Sequence, residues 1–184
     1  MSYKLSWEYR IHIDKNQFIK LFNILSFKKN DFEKKIDRYL NLNRKDLSFK
    51  ISKNLSKAND NNYNDNFELK FKVNQIDNCE RWIKLNLNNY LKPSEMKSIE
   101  SLDVNKYINI LKLRSKRRIS FENVDICYEL VLFKVKNQSY CSFSCESEDI
   151  EKLRKFMIGL ELSDNVIIAS YPEFIFQNNN LIIK

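Results

Sequence analysis

The sequence predicts an α+β fold, a mostly antiparallel β-barrel with a few flanking helices. Three observations lead there. Seven or eight stretches alternate apolar and polar residues with a period of two. Two stretches carry apolar residues at helical spacing. The polar faces of successive strands hold ionisable groups of both signs, where an open sheet would turn them to water and a closed barrel would turn them to a charged interior.

The 184 residues suit one domain, taken as 1–184, with a sizeable core. Hydrophobic residues make up 43% and aromatics 13%, so the chain can fold, and its net charge of +8 suits an acidic partner such as nucleic acid, nucleotide or polyphosphate. Heavy use of Asn, Lys and Ile follows an AT-rich bias, so a single Lys or Asn carries little weight. The one glycine, Gly159, excludes a Gly-rich phosphate loop and the dinucleotide fingerprint. Cys79, Cys127, Cys141 and Cys145 show no CxxC spacing and His12 is the only histidine, which argues against a zinc cage. No signal peptide and no apolar run near 18 residues is visible, so an intracellular protein without a membrane span is expected.

In chain order, residues 3–13 alternate. Leu5, Trp7, Tyr9, Ile11 and Ile13 form one face; Ser6, Glu8, Arg10 and His12 form the other. Asp14 is placed to cap a helix over 16–25, where Phe18, Leu21, Phe22 and Leu25 recur at helical spacing. Strands are expected over 33–40 and 46–53. Residues 54–66, rich in Asn, are expected as a mobile loop. Strands follow over 67–73 and 80–87, and Pro93 opens a weakly helical stretch over 94–107. Next comes a basic strand, 108–121, with Lys112, Arg114, Lys116, Arg118 and Ser120 on one face. Such a row of cations is stable only facing water or acid. Residues 125–136 and 140–147 are the last long strands. Ile150, Leu153, Phe156, Met157 and Leu160 form the stripe of a helix over 148–160, and the apolar tail, 164–184, is expected as a short helix or strand.

The polar faces place acid at both ends of the chain and cation in the middle: Glu8 and Arg10, Lys50, Lys70 and Lys72, Lys84, Arg114, Lys116 and Arg118, then Asp125, Glu129, Glu146 and Glu148. Carboxylates from the first and last strands suit a hard divalent cation, and the intervening cations suit the phosphates of a triphosphate. In so Lys-rich a chain, Lys70 and Lys72 are weighed as surface residues. Trp7 and Trp82 are weighed as core.

This order resembles the triphosphate tunnel metalloenzymes of the CYTH-like superfamily. Within it, the chain is most similar to metal-dependent RNA 5′-triphosphatases of fungal and large-DNA-virus capping systems. Four segments carry the resemblance: Ser6-Trp-Glu8-Tyr-Arg10, like an ExExK/R strand; Trp82-Ile-Lys84-Leu, like a middle basic strand; Arg114-Ser-Lys116-Arg-Arg118-Ile-Ser120, like an RxKxRxS strand; and Cys145-Glu146-Ser-Glu148, like a second ExE motif. The ending Ala169-Ser-Tyr-Pro-Glu-Phe is also similar to the family's closing segment.

The resemblance implies a triphosphate tunnel, with Glu8, Glu146 and Glu148 as catalytic metal ligands for Mg²⁺ or Mn²⁺. It implies Arg10, Lys84, Arg114, Lys116 and Arg118 as substrate-binding residues. The implied activity is γ-phosphate hydrolysis at a 5′-triphosphate RNA end or on a nucleoside triphosphate, the first step of mRNA capping, or a related tripolyphosphatase reaction. A capping guanylyltransferase or polymerase subunit is the implied partner. Two alternatives stand beside it: a catalytically degenerate tunnel-fold subunit that binds such a partner, and a basic nucleic-acid-binding β domain of another fold. Ser6 departs from the motif's first carboxylate. The last motif has two registers: Glu146 with Glu148, intact but at the strand's end, or Ser144 with Glu146, mid-strand and one carboxylate short.

Overall fold

The computed structural model describes residues 3–40, 42, 44–55, 65–101, 107–135, 137–163, 166–171, 173, 174 and 177. Most of the expected loop over 54–66 and much of the tail lie outside the described residues. The elements are β1 (Lys4–Ile13), α1 (Lys15–Ile24), β2 (Glu33–Leu40), β3 (Leu47–Asn54), β4 (Asn66–Ile76), β5 (Cys79–Asn86), α2 (Pro93–Glu100), β6 (Tyr107–Phe121), β7 (Val124–Val135), β8 (Gln138–Ser147), α3 (Ile150–Ile158) and β9 (Ile167–Ile168).

The strand order β5-β4-β3-β2-β6-β7-β8-β1 closes on itself because β5 also pairs with β1. All of these pairings are antiparallel. The result is an eight-stranded barrel. The short β9 pairs with β1 at Ile11 and His12, where β5 has left that strand. The fold is thus the predicted α+β barrel, with three helices among the described residues.

Alternation decides which side chains enter the barrel. The inward set of β6 runs Ile110, Lys112, Arg114, Lys116; that of β7 includes Glu129, Val131 and Phe133, and that of β8 includes Ser144 and Glu146. Outward residues of β1, β7 and β8 meet helices instead. Trp7, Ile11, Ile126, Leu130, Phe143 and Cys145 are buried with Leu21 of α1 and with Leu153, Phe156 and Met157 of α3. A second cluster, holding Ile110, Val131, Phe133, Tyr171 and Phe174, packs at one end of the barrel interior. A third, around Ile51, Phe67 and Tyr107, packs beneath Met96 and Ile99 of α2.

The caps follow the sequence. The Asp14 side chain accepts a hydrogen bond from Gln17 N, and Asp149 accepts from Lys152 N. Because Asp149 is the cap, α3 begins at Ile150, and Glu148 stands before the helix, not in it. The expected helix over 94–107 ends at Glu100, and β6 already begins at Tyr107.

Candidate functional site: a charged cavity inside the barrel

Acid and base on the inward faces meet around a cavity of about 280 Å³, near the lower end of ligand-pocket sizes. Among the described residues, eight cations line it: Lys4 and Arg10 from β1, Lys50 from β3, Lys70 from β4, Lys84 from β5, and Lys112, Arg114 and Lys116 from β6. Five carboxylates share the wall: Glu8, Asp37, Glu68, Glu129 and Glu146. Among the described residues cation therefore exceeds acid, and no apolar residue but Tyr39, Tyr128, Tyr171 and Cys127 joins the lining.

Arg10 links the two sides. Its Nε donates to Glu8 Oε1 at 3.1 Å and its Nη2 to Glu129 Oε1 at 3.1 Å. Its guanidinium lies 4.2 Å from the Tyr171 ring centroid. Its Nη1 is buried without a partner among the described residues. Glu8 also receives Lys70 at 3.1 Å and Lys84 at 3.2 Å. Burial alone would raise the Glu8 carboxyl, but the Lys70, Lys84 and Arg10 charges outweigh it and hold it well below the usual carboxylate range.

Glu8 and Glu146 are register partners across β1 and β8. Glu146 accepts from Lys84 at 2.5 Å, from Lys4, and from Ser6 Oγ at 3.1 Å. Burial and the Glu8 charge oppose ionisation there, yet Lys84 and Lys4 bring its pKa down to about 2. On β6, Lys112 donates to Asp37 Oδ2 at 2.6 Å and to the Tyr39 hydroxyl at 3.3 Å. Arg114 reaches Glu33 through Nε at 2.9 Å and lies 3.6 Å from Glu129. Lys50 pairs with Glu68 at 3.0 Å. Lys116 lines the cavity and makes no ion pair among the described residues.

Of the residues that the sequence marks, Glu8, Arg10, Lys84, Arg114, Lys116 and Glu146 come together on this cavity. Two do not. Arg118 is 66% exposed, lies 3.5 Å from Asp125, and donates through Nε to Cys127 Sγ, outside the lining. Glu148 follows the last residue of β8, is exposed, and does not line the cavity. The strand therefore adopts the mid-strand register of its last motif, with Ser144 and Glu146 inward. The physical reason is pairing: Glu146 stands opposite Glu8, whereas the strand ends at Ser147.

Lys70, weighed as surface, points inward to Glu8 because the charged face of β4 is the interior face. Phe71 and Val73, on its apolar face, are the exposed ones, at 38% and 50%. Lys112, Asp37, Tyr39, Glu68 and Tyr171 were also missed as site residues. Alternation marks Lys112 and Glu68; nothing local marks Tyr171, which arrives from the tail. Trp7 and Trp82 are buried, as expected.

The donor set was tested against a divalent cation. Glu8 and Glu146 offer oxygen ligands side by side, and Glu80, beside Glu8 on β5, is engaged elsewhere by Lys72 at 2.6 Å and Trp82 Nε1 at 3.1 Å. Among the described residues no group of three His, Cys, Asp or Glu converges as a cage. Mg²⁺, however, is commonly held by one or two carboxylates together with substrate phosphates. Glu8 and Glu146 are the carboxylates that could hold such an ion together with a polyphosphate.

Comparison with family models gave no match, and comparison with curated proteins gave none. Among solved structures, the chain is similar to HpAC1 from Hippeastrum, described as revealing a dominant triphosphatase activity: TM-score 0.57, 12% identity, over 95% of this chain and 96% of that one. It is similar to a conserved hypothetical protein from Pyrococcus furiosus, at TM-score 0.60 and 16% identity, over 91% of this chain and 98% of that one. It is also similar to the PH1012 protein of Pyrococcus horikoshii, at TM-score 0.58 and 14% identity, over 91% and 97%. The chain shares its barrel fold with these structures.

Proposed function

We propose that this protein is a tunnel-type triphosphatase that draws a 5′-triphosphate RNA end, or a nucleoside triphosphate, into the barrel and releases the terminal phosphate. The observation that carries the reading is Arg10: a buried guanidinium, fixed by Glu8 and Glu129, with Nη1 unpartnered among the described residues, in a cavity whose described lining holds more cations than acids. A phosphate oxygen is the acceptor that this nitrogen lacks.

Hydrolysis of a terminal phosphate asks mainly for positioning and charge stabilisation. Water attacks the terminal phosphorus in line, the bond to the bridging oxygen breaks, and the diphosphate leaves with the charge. Arg10, Lys84, Arg114 and Lys116 would take the charge on the phosphate oxygens. Arg10 and Arg114 are held in place by Glu129; burial would raise its carboxyl pKa, but the two guanidiniums bring it down to about 2, so that it stays an anion. Mg²⁺ or Mn²⁺, held by Glu8 and Glu146, would supply Lewis-acid charge at the phosphates.

A second reading is favoured by one observation. Ser6 and Ser144 stand inward where the resembling motifs carry carboxylates; Ser6 Oγ merely donates to Glu146, and Ser144 lines the cavity. A barrel so depleted would bind a triphosphate without hydrolysing it and serve a capping guanylyltransferase or polymerase subunit.

Phosphate release from γ-labelled, triphosphate-ended RNA separates the two readings. It is to be measured with Mg²⁺, with Mn²⁺ and with chelator. Release that needs metal and falls by about 10²-fold or more in Glu146→Ala is expected for the enzyme. A folded protein that binds tripolyphosphate yet releases nothing with either metal moves the assignment to the binding subunit.

A further inference from the structure

Between the two carboxylates that suit a metal ion, a cation is already present. The Lys84 ammonium lies 3.2 Å from Glu8 Oε2 and 2.5 Å from Glu146 Oε2. It comes from β5, the other neighbour of β1, where Lys84 is registered with Lys4. The remaining charges that face this point are accounted for. Lys70 shares Glu8 Oε2 with Lys84, at 3.1 Å, Arg10 holds Glu8 Oε1, Lys4 holds Glu146 Oε1, and Glu80 is turned onto Lys72. The Ser6 hydroxyl donates to Glu146, so it adds a donor where a further anionic ligand would be needed.

We infer that Lys84 is a displaceable counter-cation that occupies the bridging position of a divalent ion between Glu8 and Glu146, so that metal enters only together with a polyphosphate. An ammonium and a divalent ion between the same two carboxylates repel each other, so each weakens the hold on the other. Lysine has a flexible four-carbon stem and no fixed donor geometry, so its head can swing from carboxylate to phosphate without moving the strand. Arg10 Nη1, without a partner among the described residues, and Lys116, which makes no close ion pair among them, would take a polyphosphate first. The phosphates then offer Lys84 new acceptors and complete the oxygen shell of the ion.

This inference rests on the proposed reading only for the identity of the displacing ligand. Its main test needs neither polyphosphate nor turnover. Mn²⁺ binding to the whole protein is to be measured by electron paramagnetic resonance, for wild type, for Lys84→Met, and for Lys84→Met with Glu146→Gln. Removing the competing ammonium is expected to tighten Mn²⁺ binding by about tenfold or more, and Glu146→Gln is expected to abolish the gain. Calorimetry with tripolyphosphate in chelator is expected to show binding by wild type, weakened by about fivefold or more in Lys84→Met. Equal Mn²⁺ affinity in wild type and Lys84→Met overturns the inference, as does equal tripolyphosphate affinity. Should Lys84→Met fail to fold, Lys84→Gln serves the same comparison, and tight Mn²⁺ binding by wild type alone, without polyphosphate, overturns it directly. Failure of hydrolysis leaves these measurements untouched, so the two readings fail separately.

Discussion

His12 shares the inward face of β1 with Glu8 and Arg10, yet it belongs to the core. Its ring stacks on Phe174 at 3.7 Å, and its Nε2 lies 3.2 Å from the Ala169 carbonyl, to which the neutral ring donates. Burial, and then the Arg10 charge, push its pKa down to about 3. The unfolded chain therefore takes up a proton from about pH 6.5 downward that the folded chain refuses, and stability falls as pH drops. The expected slope is about 1.4 kcal/mol per pH unit from this one site. Urea unfolding at pH 7 and pH 5.5 checks it: the loss is expected in wild type and absent in His12→Gln. Glu129 and Glu146, both lowered to about 2, add a second loss at more acid pH, since lowered carboxylates stabilise above their ordinary range and lose that effect as pH falls toward 2. At this scale alternation placed Glu8, Arg10, Lys84 and Arg114 on polar faces, and only the resemblance gave them roles in a site. It could not separate Lys70 from an ordinary surface lysine, because the inside of β4 is defined by strands far away in sequence.

Among the elements, α3 is the piece whose packing holds β1, β7 and β8 from outside. Leu153 has no exposed surface, and Phe156 and Met157 are buried beside it. Leu153→Ala is expected to cost about 2–5 kcal/mol of stability by leaving a cavity, and Asp149→Ala about 1 kcal/mol by removing the cap on Lys152 N. Denaturant midpoints at pH 7 measure both, and equal small losses would contradict the packing described. The β6–β7 connection shows what periodicity leaves out. Glu122 and Asn123 both take left-handed backbone, with φ of 48° and 66°, in the two-residue turn between Phe121 and Val124. Neither is glycine. Glu122 is anchored there by Lys152 and Lys155 of α3, a tertiary contact that no local pattern foretold.

For the whole molecule, the consequence of closure is an interior that repels itself less when an anion enters. Tripolyphosphate at about one hundred times its dissociation constant is expected to stabilise the fold by about 2.7 kcal/mol. A thermal scan with and without the ligand reads this as a raised midpoint, and the shift should shrink in high salt. An unchanged midpoint at saturating ligand would mean that the interior charges are satisfied among themselves.

The sequence by itself determined the strands, their polar faces, the capped helices and the order of acid, base, acid along the chain. These are local facts, because strand and helix periodicity are written in neighbouring residues. Only the tertiary structure decided that those faces point inward, that β5 meets β1, that Glu146 and not Glu148 stands opposite Glu8, and that Arg118 remains outside. Each of these depends on register between distant strands, and register is set by pairing and packing across the barrel, which no single stretch of sequence contains.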